Sequence, residues 1–240
     1  MARHLSHHEE ERLVREFFAD KRNGFFVEVG ANHPIQGSQT WHLEQTGWTG
    51  VLVEPQPDLA AFLVTARNAK VFAVACTSPG SAGASLPLHV DGTHSALDRD
   101  RMAPGARPAT VVVVPTRTLD DILEEAEAPV PIDLLSIDVE GHETEVLQGF
   151  DLAGWHPRLI LVEDHVGSLR THRFLSGRGY RLVRRLGNNG WYVPVEIGMT
   201  AAASERWAII RKYYLALPFR MARNASRRVR RLLADWWTGR

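Results

Sequence analysis

Between Phe25 and Glu54 the chain states one pattern twice: an apolar run that ends in an acid. Phe25-Phe26-Val27 leads into Glu28, Val29 and the turn Gly30-Ala31-Asn32, and Val51-Leu52-Val53 leads into Glu54. A strand, a glycine turn, a helix and a second strand tipped with an acid is the order in which an α/β sheet holds an adenosine-bearing cofactor. The glycine lets backbone approach the ligand. The acid at the second strand tip accepts hydrogen bonds from both ribose hydroxyls, and its charge disfavours a 2′-phosphate.

The turn itself narrows the cofactor. Gly30-Ala31-Asn32-His33-Pro34-Ile35-Gln36-Gly37-Ser38 lacks the three closely framed glycines of a dinucleotide fingerprint. A pyrophosphate would meet too few free N–H groups, which weighs against an NAD-dependent oxidoreductase. S-adenosylmethionine carries no phosphate and makes smaller demands. Glu28, Gly30, Asn32, Ser38 and Glu54 are the candidate cofactor-binding residues. The bland alternatives are a tight strand–helix turn without a ligand, and for Glu54 a solvated strand end.

Strands alternate with helices along the rest of the body, which predicts a mainly parallel sheet. Expected helices cover 6–20 (Ser6 capping, with Glu9 three residues on), 38–46, 57–67, 119–127, 142–149 and 168–177. Expected strands cover 25–29, 50–54, 70–75, 86–90, 111–114, 132–137, 156–162, 180–185 and 190–194. The last two, joined by Gly187-Asn188-Asn189-Gly190, read as an antiparallel hairpin at one edge. The Ser, Gly, Pro and Ala-rich stretch 77–108 reads as a binding loop over the ligands.

A second group of acids carries the chemistry. Ile132–Ile137 delivers Asp138, Glu140 and His142, and His156–Val162 delivers Glu163, Asp164 and His165. If the two strands are neighbours, Asp138, Glu163 and Asp164 converge on one sheet edge, where ligands bind in open α/β folds. Like charges so close repel and raise one another's pKa. A hard divalent cation, Mg2+ or Mn2+, resolves this with oxygen ligands. The alternative is that these acids cap helices or pair with Arg158 and Arg170. His142, at the start of a helix, is the candidate general base. His33 and His165 are weaker candidates, and a surface role for any of the 11 histidines is the competing reading.

Charge divides the chain. Ten basic residues face two acids from Ser204 to Arg240, a net of +8, so residues 1–203 carry −8. Such a body does not suit nucleic acid. The expected division is a catalytic domain over 1–200 and a basic amphipathic helical extension over 201–240, with Pro218 breaking the helix. Arginines beside Trp236 and Trp237 suit peripheral contact with anionic lipid. A packed appendage or a homodimer contact is the rival reading. Cys76 is the sole cysteine, and the N-terminus has no signal-like apolar stretch, which fits a cytoplasmic protein.

From about Gly24 to Pro194 the chain resembles the FkbM family of S-adenosylmethionine-dependent O-methyltransferases. The resemblance rests on Val27-Glu28-Val29-Gly30-Ala31-Asn32 with Ser38-Gln39-Thr40, on Gly47-Trp48-Thr49-Gly50-Val51-Leu52-Val53-Glu54-Pro55, on Thr118-Leu119-Asp120, and on Asp138-Val139-Glu140-Gly141-His142-Glu143 through Gly149. His33-Pro34 departs from the family pattern. The resemblance implies an α/β, Rossmann-like class I methyltransferase fold; it does not cover residues 200–240, where the residues themselves predict the C-terminal helical extension. It implies methyl transfer to a hydroxyl of a sugar, glycoside or oligosaccharide, with Asp138, Glu163 and Asp164 holding magnesium beside His142 as base. Two other readings remain at this point: a metal-independent O-methyltransferase, and a non-catalytic nucleoside-binding protein docked through its tail.

Overall fold

The computed structural model describes residues 2–90, 110–164, 166, 168–223 and 226. In chain order the elements are α1 (Ala2–Phe17), β1 (Phe25–Val29), α2 (Trp41–Glu44), β2 (Thr49–Val53), α3 (Pro57–Ala66), β3 (Lys70–Phe72), β4 (Ala75–Cys76), β5 (Ser85–Val90), β6 (Thr110–Arg117), α4 (Leu119–Glu125), β7 (Leu134–Ile137), α5 (Glu143–Gln148), α6 (Leu152–Trp155), β8 (Leu159–Glu163), α7 (Arg170–Ser176), β9 (Tyr180–Leu186), β10 (Asn189–Pro194) and α8 (Ala203–Ile209). A π-helical stretch, Ile210–Leu215, follows α8.

The main sheet runs β3-β2-β1-β7-β8-β10-β9. β3, β2, β1, β7 and β8 are parallel, and the hairpin β9–β10 closes one edge antiparallel, as the sequence predicts. Alternation along the strands sends side chains to two cores. Val27, Val29, Val51, Val53, Leu135, Ile137, Ile160 and Val162 meet Leu119, Ile122, Val146 and Leu147 of α4 and α5 on one face. Phe26, Leu52, Leu134, Leu159 and Leu161 meet Val14, Leu43 and Leu63 of α1, α2 and α3 on the other. This is a mixed α/β, Rossmann-like architecture with both faces of the sheet covered.

The chain leaves β1 and returns through β2 on one side, while β7 pairs with β1 on the other. The sheet therefore has its switch point between β1 and β7, and a crevice opens at their carboxyl ends. Gly30 makes this approach feasible. Its φ is +83°, and a Cβ there would lie 1.8 Å from the Asp138 carbonyl oxygen.

Several expected boundaries move. The helix expected from Ser6 begins at Ala2, so Ser6 lies within it, and it ends at Phe17 before Ala19 and Asp20 turn left-handed. The helix expected over 38–46 shrinks to Trp41–Glu44, because Glu28 holds residues 38–40 in a non-helical bend. The strand expected over 70–75 divides: Lys70–Phe72 continues the main sheet, and Ala75–Cys76 turns away to pair with β6 in a three-stranded sheet with β5. The short α6, capped by the Asp151 carboxylate on the Ala153 N–H, delays the strand expected from His156 until Leu159. Residues 91–108 of the expected binding loop, His165 and Trp236 lie outside the described residues.

Tyr213 and Leu217, from the C-terminal extension, belong to the same core as β7 and β8. The extension bends at Ala216 and resumes as helix over 217–223, with Pro218 in its first turn, the break expected there. Among the described residues no helix is long and apolar enough to cross a membrane.

Candidate active site

The loop after β1 is built from the inside. The Glu28 carboxylate, buried at 4% exposure, accepts from Ser38 Oγ (3.0 Å), the Gln39 N–H (2.7 Å) and Thr40 Oγ1 (2.5 Å). His33 Nδ1 accepts from the N–H groups of Ile35 and Gln36, so this ring organises the loop. The N–H groups of Gly30 and Ala31 go to the Val53 carbonyl. With its donors spent internally, the loop offers little to a pyrophosphate, in keeping with the sequence reading.

A buried arginine lies beneath. Arg67 Nε donates to Glu44 (3.0 Å), Nη1 to the Pro34 carbonyl and Ser38 Oγ (both 3.1 Å), and Nη2 to Thr40 Oγ1 (3.0 Å). Burial raises the pKa of Glu28, and its hydrogen bonds together with the Arg67 charge pull it back down. Nothing in the sequence reading singled out Arg67. Ser38 proves to be an internal strut of this network, buried and outside the cavity lining.

The crevice at the strand ends is a cavity of about 580 Å3, a size suited to a cofactor with part of an acceptor. Glu54, at the tip of β2, forms one wall. It is 5% exposed and accepts from the Asn32 N–H through one oxygen and from the Gln56 N–H through the other, each at 2.8 Å. These two bonds aim the carboxylate and leave it further lone pairs. Burial raises its pKa, and nearby Glu28 adds to the rise. Asn32 reaches this wall with φ at +51°.

Asp138, Glu140, His142 and Glu163 line the same cavity. The register explains two of them: Ile137 pairs with Val162, so the next residues, Asp138 and Glu163, stand side by side on neighbouring strands. Glu140 joins them through the left-handed pair Glu140 (φ +50°) and Gly141 (φ +100°), which turns the chain back on itself. Left-handed non-glycine residues of this kind gather where a site holds its backbone in place. One oxygen from each of Asp138, Glu140 and Glu163 lies within 4.8 Å of the others.

Asp164 does not join this cluster. Consecutive residues of a strand point to opposite faces, and Asp164 follows Glu163 directly. Its carboxylate accepts from the Val166 N–H (2.5 Å) on the side facing the extension. Glu140 thus stands where the sequence reading expected Asp164. Arg158 and Arg170, the cations weighed as partners for these acids, approach Asp133 (3.7 Å) and Glu145 (3.8 Å).

The electrostatics are those of crowded like charges. Asp138 is open to the cavity but enclosed by protein on its other sides. That enclosure and then Glu163, with Glu140 and Glu143 behind, hold its pKa well above the carboxylate range. Glu163 on the neighbouring strand is the largest of the charges that add to this rise. Glu143, which accepts from the Gly141 N–H at 2.7 Å, is pushed up to about 7 by burial first, with Asp164 and Glu163 adding to the rise. His142 is the N-cap residue of α5, and its Nε2 lies 3.3 Å from Thr77 Oγ1. Glu10, from α1, also reaches the cavity lining, fixed by Trp191 Nε1 (2.8 Å) and Asn189 Nδ2 (2.6 Å). Its place could not be read from a helix pattern, because its partners are 179 and 181 residues away.

Comparison with known proteins agrees with this geometry. A family model described as the Methyltransferase FkbM domain matches residues 28–182, well over half of the chain. The hexuronic acid methyltransferase AglP of Haloferax volcanii is 32% identical over 81 residues, which are 34% of this chain and 29% of that protein.

Proposed function

The chain belongs to the FkbM methyltransferase family, and from that premise we propose that it transfers a methyl group from S-adenosylmethionine to a hydroxyl of a saccharide, with uronic-acid sugars the first acceptors to try. One observation carries the reading: a single cavity has the aimed carboxylate of Glu54 on one wall and the Asp138–Glu140–Glu163 cluster with His142 on another.

The division of labour follows from position. Glu54 holds the ribose hydroxyls, while Gly30 and Asn32 shape the floor against which the cofactor lies. Glu28, Ser38 and Arg67 act one layer back, by fixing the loop that carries Asn32. When bound, S-adenosylmethionine would supply an electrophilic methyl on its sulfonium to an acceptor oxygen that has lost its proton, the C–S bond breaking to leave S-adenosylhomocysteine. His142 receives that proton, with Thr77 beside its Nε2 helping to orient the ring. The cavity walls bring the two reactants together, which supplies much of the acceleration.

The donor set of Asp138, Glu140 and Glu163 suits a hard cation. All three are oxygen ligands, they are gathered within coordinating reach, and burial together with the nearby Glu163 raises the pKa of Asp138. Magnesium or manganese bound there would lower the pKa of an acceptor hydroxyl, as it does that of water. Incubation of the purified protein with S-adenosylmethionine and a panel of uronic-acid saccharides, followed by mass spectrometry, tests the reading. One-methyl gains that disappear with EDTA and return with Mg2+ support it. Cofactor binding without methylation of any saccharide argues for the non-catalytic alternative.

Two expectations arise directly. Glu54→Gln should weaken S-adenosylhomocysteine binding about tenfold, the scale of one lost charge-assisted hydrogen bond. Saturating cofactor should restore most of the turnover. Titration calorimetry beside a kinetic assay checks both. The second concerns pH. Glu143 and Asp138 have folded-state pKa values above their unfolded ones, so the folded state binds the extra protons. Their contribution to stability therefore falls as pH rises, between 4.5 and about 7 for Glu143 and from 3.8 upward for Asp138. Protons compete with a cation for the same oxygens, so Mg2+ should bind more tightly as pH rises. Melting temperatures with and without Mg2+ across that range should diverge toward alkaline pH. Parallel curves would remove the cation from the cluster.

A further inference from the structure

On the far side of the hairpin turn lies a second recess, of about 470 Å3, lined by Arg185, Arg211, Lys212 and Arg220 together with Gly187. Gly187 also lines the main cavity, so the two spaces adjoin at the β9–β10 turn. Among the described residues, four cations crowd here around one carboxylate, Asp164, whose charge is felt by both Lys212 and Arg220. Their hydrogen-bond partners are neutral. Lys212 Nζ donates to the Gly187 carbonyl (2.9 Å), Arg220 Nε to the Val166 carbonyl (3.1 Å), and Arg185 Nη1 to the Tyr213 hydroxyl (2.7 Å). Arg185 Nη2 donates to the Asp164 backbone carbonyl and Arg220 Nη2 to that of Lys212. Arg185 Nε is buried with no hydrogen-bond partner among the described residues. The Lys212 ammonium is pushed down to about 8, first by burial and then by Arg185 and Arg220.

Cations held this close repel one another, and an anion between them relieves the repulsion. Three positive charges remain once Asp164 is counted, an excess that a single carboxylate would only partly offset. We propose that this recess is an anion subsite that holds the phosphate groups of a phosphate-linked saccharide acceptor, with its sugar reaching past Gly187 into the main cavity. The inference rests on the main cavity being the methyl-transfer site. Arginine suits phosphate because its planar donors match the oxygens in pairs, and the lysine adds a point charge. The diphosphate of a sugar nucleotide and that of a lipid-linked sugar share this chemistry. Exposed Leu215 and Phe219 flank the groove residues Ala216 and Arg220 in sequence, which makes the lipid source worth a separate arm.

The test uses the full chain and titration calorimetry with inorganic pyrophosphate, in parallel with S-adenosylhomocysteine. Arg211→Gln combined with Lys212→Gln spares Arg185 and Arg220, whose side chains tie segments of backbone together. The double variant should bind pyrophosphate about tenfold more weakly, as the loss of two partly exposed charge contacts implies. It should bind S-adenosylhomocysteine like the wild type, and Lys212→Arg should retain pyrophosphate binding. Uridine diphosphate or a short-chain prenyl diphosphate binding more tightly than pyrophosphate would identify the source. Equal affinity for all three would support recognition of the phosphates alone. Wild-type protein that ignores pyrophosphate, a double variant that binds it unchanged, or glucuronate binding as tightly as pyrophosphate would each overturn the subsite. Failure of S-adenosylhomocysteine to bind the wild type would instead strike the methyl-transfer reading, so the two failures are distinct.

Discussion

Asp138→Asn is expected to lower turnover about a thousandfold or more while leaving S-adenosylhomocysteine affinity within about twofold of the wild type. The asymmetry follows from position. Asp138 stands with Glu163 and Glu140 at the acidic cluster, whereas the ribose contacts assigned to the cofactor come from Glu54 on another wall. The same substitution should make the metal-free protein more stable. The wild-type cluster places Asp138 beside Glu163 with Glu140 and Glu143 nearby, and a neutral amide relieves that repulsion. Each kcal/mol regained is worth about 2–4 °C in melting temperature for a chain of this size. A variant that is dead but melts higher is the signature of an acid kept for chemistry at the expense of stability. Wild-type turnover in Asp138→Asn would end the proposal, and a dead variant that melts lower would point to a structural role.

The site was legible where chemistry and strand position coincide. Glu54 and Gly30 stand out because an acid and a glycine end two apolar runs, and both end at the cavity. Asp138 and Glu163 stand out for the same reason, and the β7–β8 register sets them side by side. The choice between Glu163 and Asp164 turns on where β8 ends: Glu163 is its last residue and lines the cavity, whereas Asp164 lies just beyond it and is tied to the Val166 N–H. Glu140 was harder: it joins the cluster only because Glu140 and Gly141 adopt positive φ, a tertiary constraint without local periodicity. The same holds for the break between Phe72 and Ala75, where β4 leaves one sheet for another within three residues. In the extension the helical spacing of apolar residues among arginines left lipid contact, a packed appendage and a dimer contact all open. It did not show that Tyr213 would be the residue buried, or that Arg185 would donate to its hydroxyl.

Arg67→Met should destabilise the fold by about 3–5 kcal/mol, the usual result of removing one partner from a buried ion pair. Arg67 lies at the end of α3, over the rings of Phe26 and Trp41, and its guanidinium contacts Glu44, Ser38, Thr40 and the Pro34 carbonyl. Methionine fills similar space but leaves the Glu44 carboxylate buried without its cation, at 3% side-chain exposure. It also takes from Glu28 a charge that now lowers its pKa. Glu28 should then hold its proton to still higher pH, so the deficit should widen once pH passes the wild-type Glu28 pKa, itself raised above 4.5, and narrow in acid. Adding Glu44→Gln removes the stranded charge, and the double variant should recover part of the loss, a coupling read from a double-mutant cycle. Cofactor affinity should fall with stability, because Ser38 and Thr40 tie the arginine to the Glu28 carboxylate that holds the loop behind Asn32. Denaturant melts of the four proteins at two pH values measure all of this. An Arg67→Met protein as stable as the wild type at neutral pH would mean that Glu28 and its hydrogen bonds hold the loop unaided.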